Sequence, residues 1–241
     1  MSGHSKWATT KHRKGAVDAK KGKAFSKLAK LISVAAREGA DSEMNFTLRL
    51  AIDKAKAVNM PKENIERAVA RGAGTGGEGN ELETVIYEGM APGGASILVI
   101  AVTDNTNRAR TNIKTIFNKH GGNIEAKVMW QFEQKGVIRV EDLSALQTQE
   151  EKEGLELTLI DAGAEDISYD QDLLTVTCAV QDFKKVSDAV SASGLTIADA
   201  GLEYIATDPM EFSGEDLEKL ERFTDILEED EDVDSIFTNA A

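Results

Sequence analysis

The sequence predicts an α+β protein in which an N-terminal three-helix domain is followed by two ferredoxin-like α/β domains, the second inserted into the first. Three observations lead to this prediction. Apolar residues recur at three- and four-residue spacing over 17–71, as in amphipathic helices. Five glycines then fall within the nine residues 72–80, which is typical of a linker. Strand and helix patterns follow from residue 80 onward.

Three helices are expected in the N-terminal region. The first starts near Val17 and ends at Gly39, the second is capped by Asp41 or Ser42, and the third begins at Pro61. These residue types suit the start of a helix, because the first backbone N–H groups have no partner within it. The expected core residues are Phe25, Leu28, Ile32, Met44, Leu48, Ile52, Ala55, Ile65 and Val69.

The block that begins at residue 80 predicts the order strand, strand, helix, strand. Thr, Val, Ile and Tyr dominate 83–88, and the apolar run at 95–103 suits a central strand. A helix capped within 104–107 follows, and a third strand is expected at 123–132. A complete ferredoxin-like unit would need one more helix and one more strand.

A complete β-α-β-β-α-β unit is predicted over 135–206, and this is the ferredoxin-like order. Its first helix, at about 147–162, is expected to bury Leu155, Leu159 and Ile160.

The C-terminal tail predicts the helix and strand that the earlier block lacks. The helix runs from about 214 to 230 behind a capping box at Ser213–Asp216, and the strand covers 232–238. We therefore predict a basic arm and helical domain at 1–71, a glycine-rich linker at 72–79, a discontinuous ferredoxin-like domain at 80–134 plus 207–241, and an inserted ferredoxin-like domain at 135–206.

Charge is distributed very unevenly along the chain. Residues 1–37 contain ten Lys or Arg and one acid, a net charge of +9 in a chain whose total is −14. A segment of nearly uniform positive charge attracts a polyanion, and nucleic acid is the simplest candidate. The alternatives are a disordered, solubilising tail and an extension of the kind found in ribosomal proteins. Residues 81–241 carry −22, which is interpreted as an acidic, self-repelling surface. The alternative is that this negative charge keeps a polyanion away from everything except the basic end.

The basic segment also holds Trp7, with His4 and His12 nearby. An aromatic side chain among cations can stack on an unpaired base while its neighbours hold phosphates. The predicted nucleic-acid-binding residues are His4, Lys6, Trp7, Lys11, His12, Arg13, Lys14, Lys20, Lys21, Lys23, Lys27 and Lys30.

The same segment carries a family resemblance. The stretches Gly3–Trp7, Lys11–Lys14 and Lys20–Lys23 resemble the opening signature of the YebC family, and Thr103–Arg108 resembles its Thr-Asp-Asn-x-Asn-Arg motif. The resemblance implies a three-domain fold. It also implies either bacterial transcriptional regulation or translational activation at the ribosome, including relief of stalls at proline-rich stretches.

Two further polar segments have two interpretations each. Asn105, Asn107, Arg108 and Arg110 form a predicted secondary contact for RNA or protein, or else they cap a helix and leave the arginines in solvent. The acidic run Glu228–Asp232 is interpreted as a solvated helix end rather than a cation site.

Several function classes are not expected. Cys178 is the only cysteine, so no disulfide framework is predicted, and the three histidines lack metal-ligand spacing. The Gly72, Gly74 and Gly77 match to a dinucleotide motif is rejected, because a helix rather than a strand precedes it. We expect no enzyme activity, cofactor, metal, small-molecule substrate, membrane span or signal peptide, and a cytoplasmic location.

The predicted function is regulation of gene expression through nucleic-acid binding. Zinc-finger, zipper and RNP patterns are missing from the sequence, so backbone or shape recognition is expected rather than base reading. Ribosomal or transfer RNA is the favoured partner and DNA is the alternative. A third hypothesis is a protein-interaction scaffold that uses the acidic domains.

Overall fold

The computed structural model describes residues 21–75, 82–144, 146, 148–170 and 173–241. The fold is α+β, as predicted: a helical N-terminal region precedes two β-sheets. The chain divides into two compact units, Glu133–Ile205 and the described residues on either side of that segment.

The N-terminal region is a small helical bundle. Helix α1 covers Lys21–Ala35 and continues as a 3-10 turn at Ala36–Glu38, α2 covers Phe46–Ala57, and α3 covers Lys62–Gly72. Their apolar faces meet in one core, as the three- and four-residue spacing predicts. Its buried residues are Ile32, Ala35, Ala36, Leu48, Ala51, Ala55, Met60, Ile65 and Ala68.

The start of α2 differs from the prediction. Asn45, rather than Asp41 or Ser42, is the cap, and its side-chain oxygen accepts a hydrogen bond from the backbone N–H of Leu48 at 3.0 Å. Met44 therefore lies before the helix and is 86% exposed, so the prediction that it belongs to the core was wrong.

The first sheet has the strand order β1-β2-β7, with β1 at Glu83–Met90, β2 at Ser96–Thr103 and β7 at Val233–Thr238. Both strand pairs are antiparallel. Helices α4 (Thr106–His120) and α7 (Gly214–Glu228) pack on this sheet, and all of β2 is buried. The core includes Ile97, Val99, Ile113, Phe117, Leu220, Phe223 and Leu227.

The strand predicted at 123–132 was wrong. A single β-bridge joins Met90 to Asn123, and a 3-10 turn covers Met129–Gln131. The carboxylate of Glu88, on β1, accepts two backbone hydrogen bonds of 2.9 Å at the start of this turn. The Glu88 side chain thus accepts hydrogen bonds from backbone N–H groups that would otherwise donate to a neighbouring strand.

The second sheet is ferredoxin-like, as predicted. Its strands are β3 (Phe132–Val140), β4 (Ala164–Asp170), β5 (Leu173–Ala179) and β6 (Asp199–Ala206), and its helices are α5 (Gln149–Ala162) and α6 (Phe183–Ala192). The chain order is β-α-β-β-α-β and the strand order is β4-β5-β3-β6.

Two helix details in the sheet domains differ from expectation. Ile160 is 56% exposed, because the buried row of α5 consists of Leu155, Leu159 and Ala162. Ser213 precedes α7 in an extended conformation without a side-chain capping bond, so the predicted capping box is wrong.

Candidate nucleic-acid interface

The predicted interface divides into residues that the structure describes and residues that it does not. Lys27 and Lys30, on α1, are described with their side chains. Lys21 and Lys23 belong to α1, but only their backbone is described. The predictions for His4, Lys6, Trp7, Lys11, His12, Arg13, Lys14 and Lys20 fall outside the described residues.

Lys27 is half-buried and contacts the end of α7. Its ammonium group donates a hydrogen bond of 2.7 Å to the backbone carbonyl of Glu228. Burial lowers the pKa of Lys27, and the nearby carboxylates of Asp234, Glu228 and Asp230 offset this only in part. A lysine at a helix C-terminus also interacts favourably with the helix dipole, so this contact stabilises the position of α1.

Lys30, one helical turn further along α1, contacts the same acidic segment. Its ammonium group donates to the carbonyl of Glu231 at 2.9 Å and to Oδ1 of Asp232 at 2.8 Å. The Asp232 side chain is 3% exposed and that of Lys30 is 20% exposed. This ion pair is therefore largely shielded from water. Opposite charges attract each other more strongly in the protein interior than in water.

Arg108, on α4, binds the other side of the Asp232 carboxylate. Its Nη2 atom lies 2.9 Å from both Asp232 oxygens, its Nε atom lies 3.1 Å from Oδ2, and Nη2 also lies 3.0 Å from Asp104. The hydrogen bonds to Asp232 and Asp104 raise the pKa of Arg108. Burial alone would raise the pKa of Asp232, but the hydrogen bonds from Lys30 and Arg108 outweigh it and lower that pKa.

These contacts change the interpretation of two sequence segments. The acidic run Glu228–Asp232 was expected to be a solvated helix end, yet it binds Lys27, Lys30 and Arg108. Arg108 was expected either to make a functional contact or to point into solvent. It instead makes an intramolecular ion pair with a carboxylate 124 residues away.

The other secondary candidates lie around the first turn of α4. Asn105 is the helix cap, with its side-chain oxygen accepting from the N–H of Arg108 at 3.0 Å. Asn107 and Arg110 are exposed. Burial raises the pKa of Tyr87, and the positive charge of Arg110 opposes this shift. The capping interpretation therefore holds for Asn105.

The exposed face of α4 contains polar residues that sequence reasoning missed. Helical spacing places Lys114 and Asn118 in one exposed row with Asn107 and Arg110, beside the buried row of Ile113 and Phe117. The signal was visible in the sequence as the polar complement of the predicted apolar face.

Trp130 is a second residue that the sequence analysis passed over. It lies in the 3-10 turn after the Glu88 contacts, is 77% exposed, and donates from its indole N–H to the carbonyl of Lys127 at 3.1 Å. The sequence placed this residue in a strand, and nothing local indicated that a carboxylate on β1 would turn the chain there.

Within the described ranges, no group of three or more His, Cys, Asp or Glu side chains is arranged to hold a metal ion. Among the helices of that same part of the chain, none has the length and apolar character needed to cross a membrane.

Family models match the chain on both sides of the glycine-rich segment. A model described as the TACO1/YebC protein N-terminal domain matches residues 5–75. A model described as the TACO1/YebC second and third domain matches residues 82–240.

Close relatives extend over the whole chain and share one description, probable transcriptional regulatory protein. The relative from Treponema pallidum is 44% identical over 243 residues and covers 100% of this chain and 97% of its own. That from Caldanaerobacter subterraneus is 43% identical over 242 residues, with coverages of 99% and 98%. That from Brachyspira hyodysenteriae is 42% identical over 243 residues, with coverages of 99% and 96%.

A solved structure shares the fold. The crystal structure of a conserved hypothetical protein from Aquifex aeolicus matches with a TM-score of 0.82 and 37% sequence identity. The match covers 94% of this chain and 92% of that chain.

Proposed function

The chain belongs to the YebC family, and from this premise we propose that it is a regulator of gene expression that binds nucleic acid through its cationic N-terminal segment. The relatives' shared description as probable transcriptional regulatory proteins supports the broader part of this proposal. The nucleic-acid contact is our inference from charge and residue type.

The charge separation is the observation that carries the proposal. Residues 1–37 hold a net charge of +9 within a chain of −14. Phosphate groups are attracted to the cationic segment and repelled by the acidic remainder, so a polyanion is directed to one part of the molecule. Lys27 and Lys30 are occupied by the acidic run in this structure, so the first contacts are assigned to the ten other predicted residues.

RNA at the ribosome is the favoured partner on physical grounds. A cationic segment with one tryptophan and no base-reading motif suits backbone contacts and the stacking of unpaired bases. Duplex DNA is the second candidate, and the description of the relatives as transcriptional regulators favours it. The exposed row on α4 that contains Asn107 and Arg110 is proposed as a secondary contact in either case.

Two assays distinguish these partners. Co-sedimentation with ribosomes at 50 and 200 mM salt tests the RNA proposal, and a gel shift on random-sequence duplex DNA tests the alternative. We expect salt-sensitive co-sedimentation that exceeds the binding to duplex DNA at matched salt. Binding to DNA alone would replace the ribosomal proposal with transcriptional regulation.

A variant pair separates nucleic-acid binding from a protein scaffold. Replacing Lys11, Arg13, Lys14, Lys20, Lys21 and Lys23 by Gln should abolish binding, whereas a scaffold that uses the acidic domains would keep its partner. The control variant replaces six exposed cations elsewhere by Gln, so that both variants have the same net charge. The residues replaced in the control are Lys56, Lys62, Lys184, Lys185, Lys219 and Arg222.

A further inference from the structure

Two predicted nucleic-acid-binding residues, Lys27 and Lys30, and one predicted secondary-contact residue, Arg108, meet at one acidic turn. Lys30 and Arg108 bind the same carboxylate, that of Asp232, at 2.8 and 2.9 Å. Lys27 lies one helical turn from Lys30 and binds the carbonyl of Glu228 in the same turn. The fold therefore assembles a cationic cluster that neither segment contains alone.

We propose that Lys27, Lys30 and Arg108 form a single phosphate-binding site, and that the acidic turn Glu228–Asp232 occupies this site until a nucleic-acid phosphate displaces it. The inference rests on the proposed function and deepens it by naming a second, self-blocked contact.

The geometry of the cluster fits phosphate oxygens. The turn presents oxygen atoms to the two ammonium groups at 2.7, 2.8 and 2.9 Å, the range of charge-assisted hydrogen bonds. Arg108 approaches both oxygens of one carboxylate, which is the forked geometry that guanidinium groups also use with phosphate. The turn thus supplies the arrangement of oxygen atoms that a phosphodiester would supply.

The occupied and phosphate-bound states exclude each other. The turn places the carboxylate of Asp232 against the cluster, and the Asp230 carboxylate in the same turn accepts a hydrogen bond from Asn112 at 3.2 Å. A phosphate cannot share this space, because like charges repel strongly where water is scarce.

The contacts that hold the turn are of a kind that a phosphate can replace. Two of the three ammonium contacts are made to backbone carbonyls, which carry only partial charges, and the Arg108 side chain is 48% exposed. A phosphate brings a full negative charge to the same donors. Only the Lys30–Asp232 pair is well buried, so Asp232 is the residue that governs the exchange.

The test compares Asp232→Asn with Glu221→Gln, a control on α7 with the same change in charge at an exposed position. The probes are a fluorescein-labelled 20-nucleotide RNA of random sequence and a duplex DNA of equal length, titrated by fluorescence anisotropy. Relative to the control, Asp232→Asn should bind at least about threefold more tightly at 50 mM salt. Its log-log salt slope should steepen by about one to two, because two cations become available.

A measurement on the wild-type protein covers the case in which Asp232→Asn folds poorly. The backbone N–H of Val102 donates to the carbonyl of Asp232 at 2.8 Å, so this amide reports on the turn. Saturating RNA should accelerate hydrogen exchange of this amide and of those at 228–232. Unchanged or slower exchange throughout these amides would overturn the proposal.

The outcomes separate this inference from the proposed function. If the wild type binds a probe and Asp232→Asn matches Glu221→Gln, the self-blocked site is wrong while nucleic-acid binding stands. If neither the wild type nor Asp232→Asn binds either probe, both ideas are overturned. Binding by Asp232→Asn alone would support a site that the turn closes completely.

Discussion

Glu88 shows how one side chain can redirect the backbone far from it in sequence. Its carboxylate accepts hydrogen bonds from the ammonium group of Lys127 at 2.8 Å and from the N–H groups of Val128 and Met129 at 2.9 Å. The three donors all favour the ionised form, and the bond from Lys127 contributes most to the lowered pKa of Glu88.

Glu88→Gln should destabilise the protein by about 1–3 kcal/mol at pH 7, because an amide oxygen accepts these bonds less strongly than a carboxylate. Chemical denaturation followed by circular dichroism measures this loss. Glu125→Gln is the control, since Glu125 lies at the exposed surface with its oxygen 3.7 Å from Lys114, and it should change stability by less than about 0.5 kcal/mol. Equal effects of the two substitutions would contradict the role given to Glu88.

The effect of Glu88→Gln should also depend on pH. The pKa of Glu88 is lower in the folded state than its ordinary value of 4.5, so its carboxylate stabilises the fold above that value. This contribution is lost as the pH falls through the folded pKa. The stability gap between wild type and variant should therefore be constant from pH 7 to 5 and narrow below pH 4.5. A gap that does not change down to pH 3 would show that the charge is irrelevant.

Cys178 should be unreactive in the folded protein. Burial, together with the charges of Asp182 and Glu165, raises the pKa of its thiol to about 11. About one thiol in a thousand is then ionised at pH 8, and the thiolate is the reacting form. A disulfide reagent such as DTNB should label Cys178 promptly in 6 M guanidinium and at least about 100-fold more slowly in the native state. Comparable rates would show that this strand is open to solvent.

At the scale of elements, the contact between α1 and α3 depends on a glycine. A Cβ atom at Gly72 would overlap the backbone oxygen of Ser33 and approach the Cβ of Ala36 to 2.7 Å. The Ser33 hydroxyl also donates to the carbonyl of Ala68 at 2.8 Å across the same contact. The absence of a side chain at Gly72 therefore permits the two helices to approach this closely.

Gly72→Ala should destabilise the protein by about 1–3 kcal/mol, as expected for an overpacked contact. Gly154→Ala is the matched substitution in helix α5, where an added Cβ meets no atom within 4 Å. It should stabilise by about 0.5–1 kcal/mol, because alanine is the better helix former. Thermal melts of both variants test the pair, and destabilisation by both or by neither would contradict the packing argument.

Asn45 combines a helix cap with a loop contact. Its side-chain oxygen caps α2, while its amide nitrogen donates to the carbonyls of Ala35 at 2.7 Å and Gly39 at 2.8 Å. Asn45→Ala should cost about 2–4 kcal/mol, since the cap and two hydrogen bonds are lost together. Asn45→Asp keeps the cap and loses the donors. If Asn45→Asp were as stable as wild type in urea titrations, the two donated bonds would be unimportant.

The local sequence pattern predicted most helices and strands correctly. It failed where a residue distant in sequence binds the backbone. The spacing of Leu48, Ile113 and Leu220 predicted buried helix faces that the structure has. The strand expected at 123–132 failed because Glu88, about forty residues earlier, binds the backbone there. Helix and strand propensities cannot predict such a contact, because it forms only in the tertiary fold.

At the scale of the molecule, part of the candidate site could be predicted from the sequence and part depends on the fold. The excess of cations in residues 1–37 and the polar character of Asn105–Arg110 are visible in the sequence. The pairing of Lys30 and Arg108 with Asp232 is not, because Asp232 lies 202 and 124 residues away from them. Composition identified a cationic segment, whereas the fold determines which of its cations already have partners.

The uneven charge predicts a strong and measurable dependence of binding on salt. If about six cations contact phosphates, the log-log slope of affinity against salt should be about −4 to −5. Affinity should then fall by roughly 300- to 1,000-fold between 50 and 200 mM salt.

The most direct measurement is the salt slope of RNA binding for the wild type and for the two six-residue variants, determined side by side by fluorescence anisotropy. The account predicts a steep slope for the wild type and for the control variant that lacks Lys56, Lys62, Lys184, Lys185, Lys219 and Arg222. It predicts no measurable binding once Lys11, Arg13, Lys14, Lys20, Lys21 and Lys23 are replaced. Equal binding and equal slopes for all three proteins would contradict it.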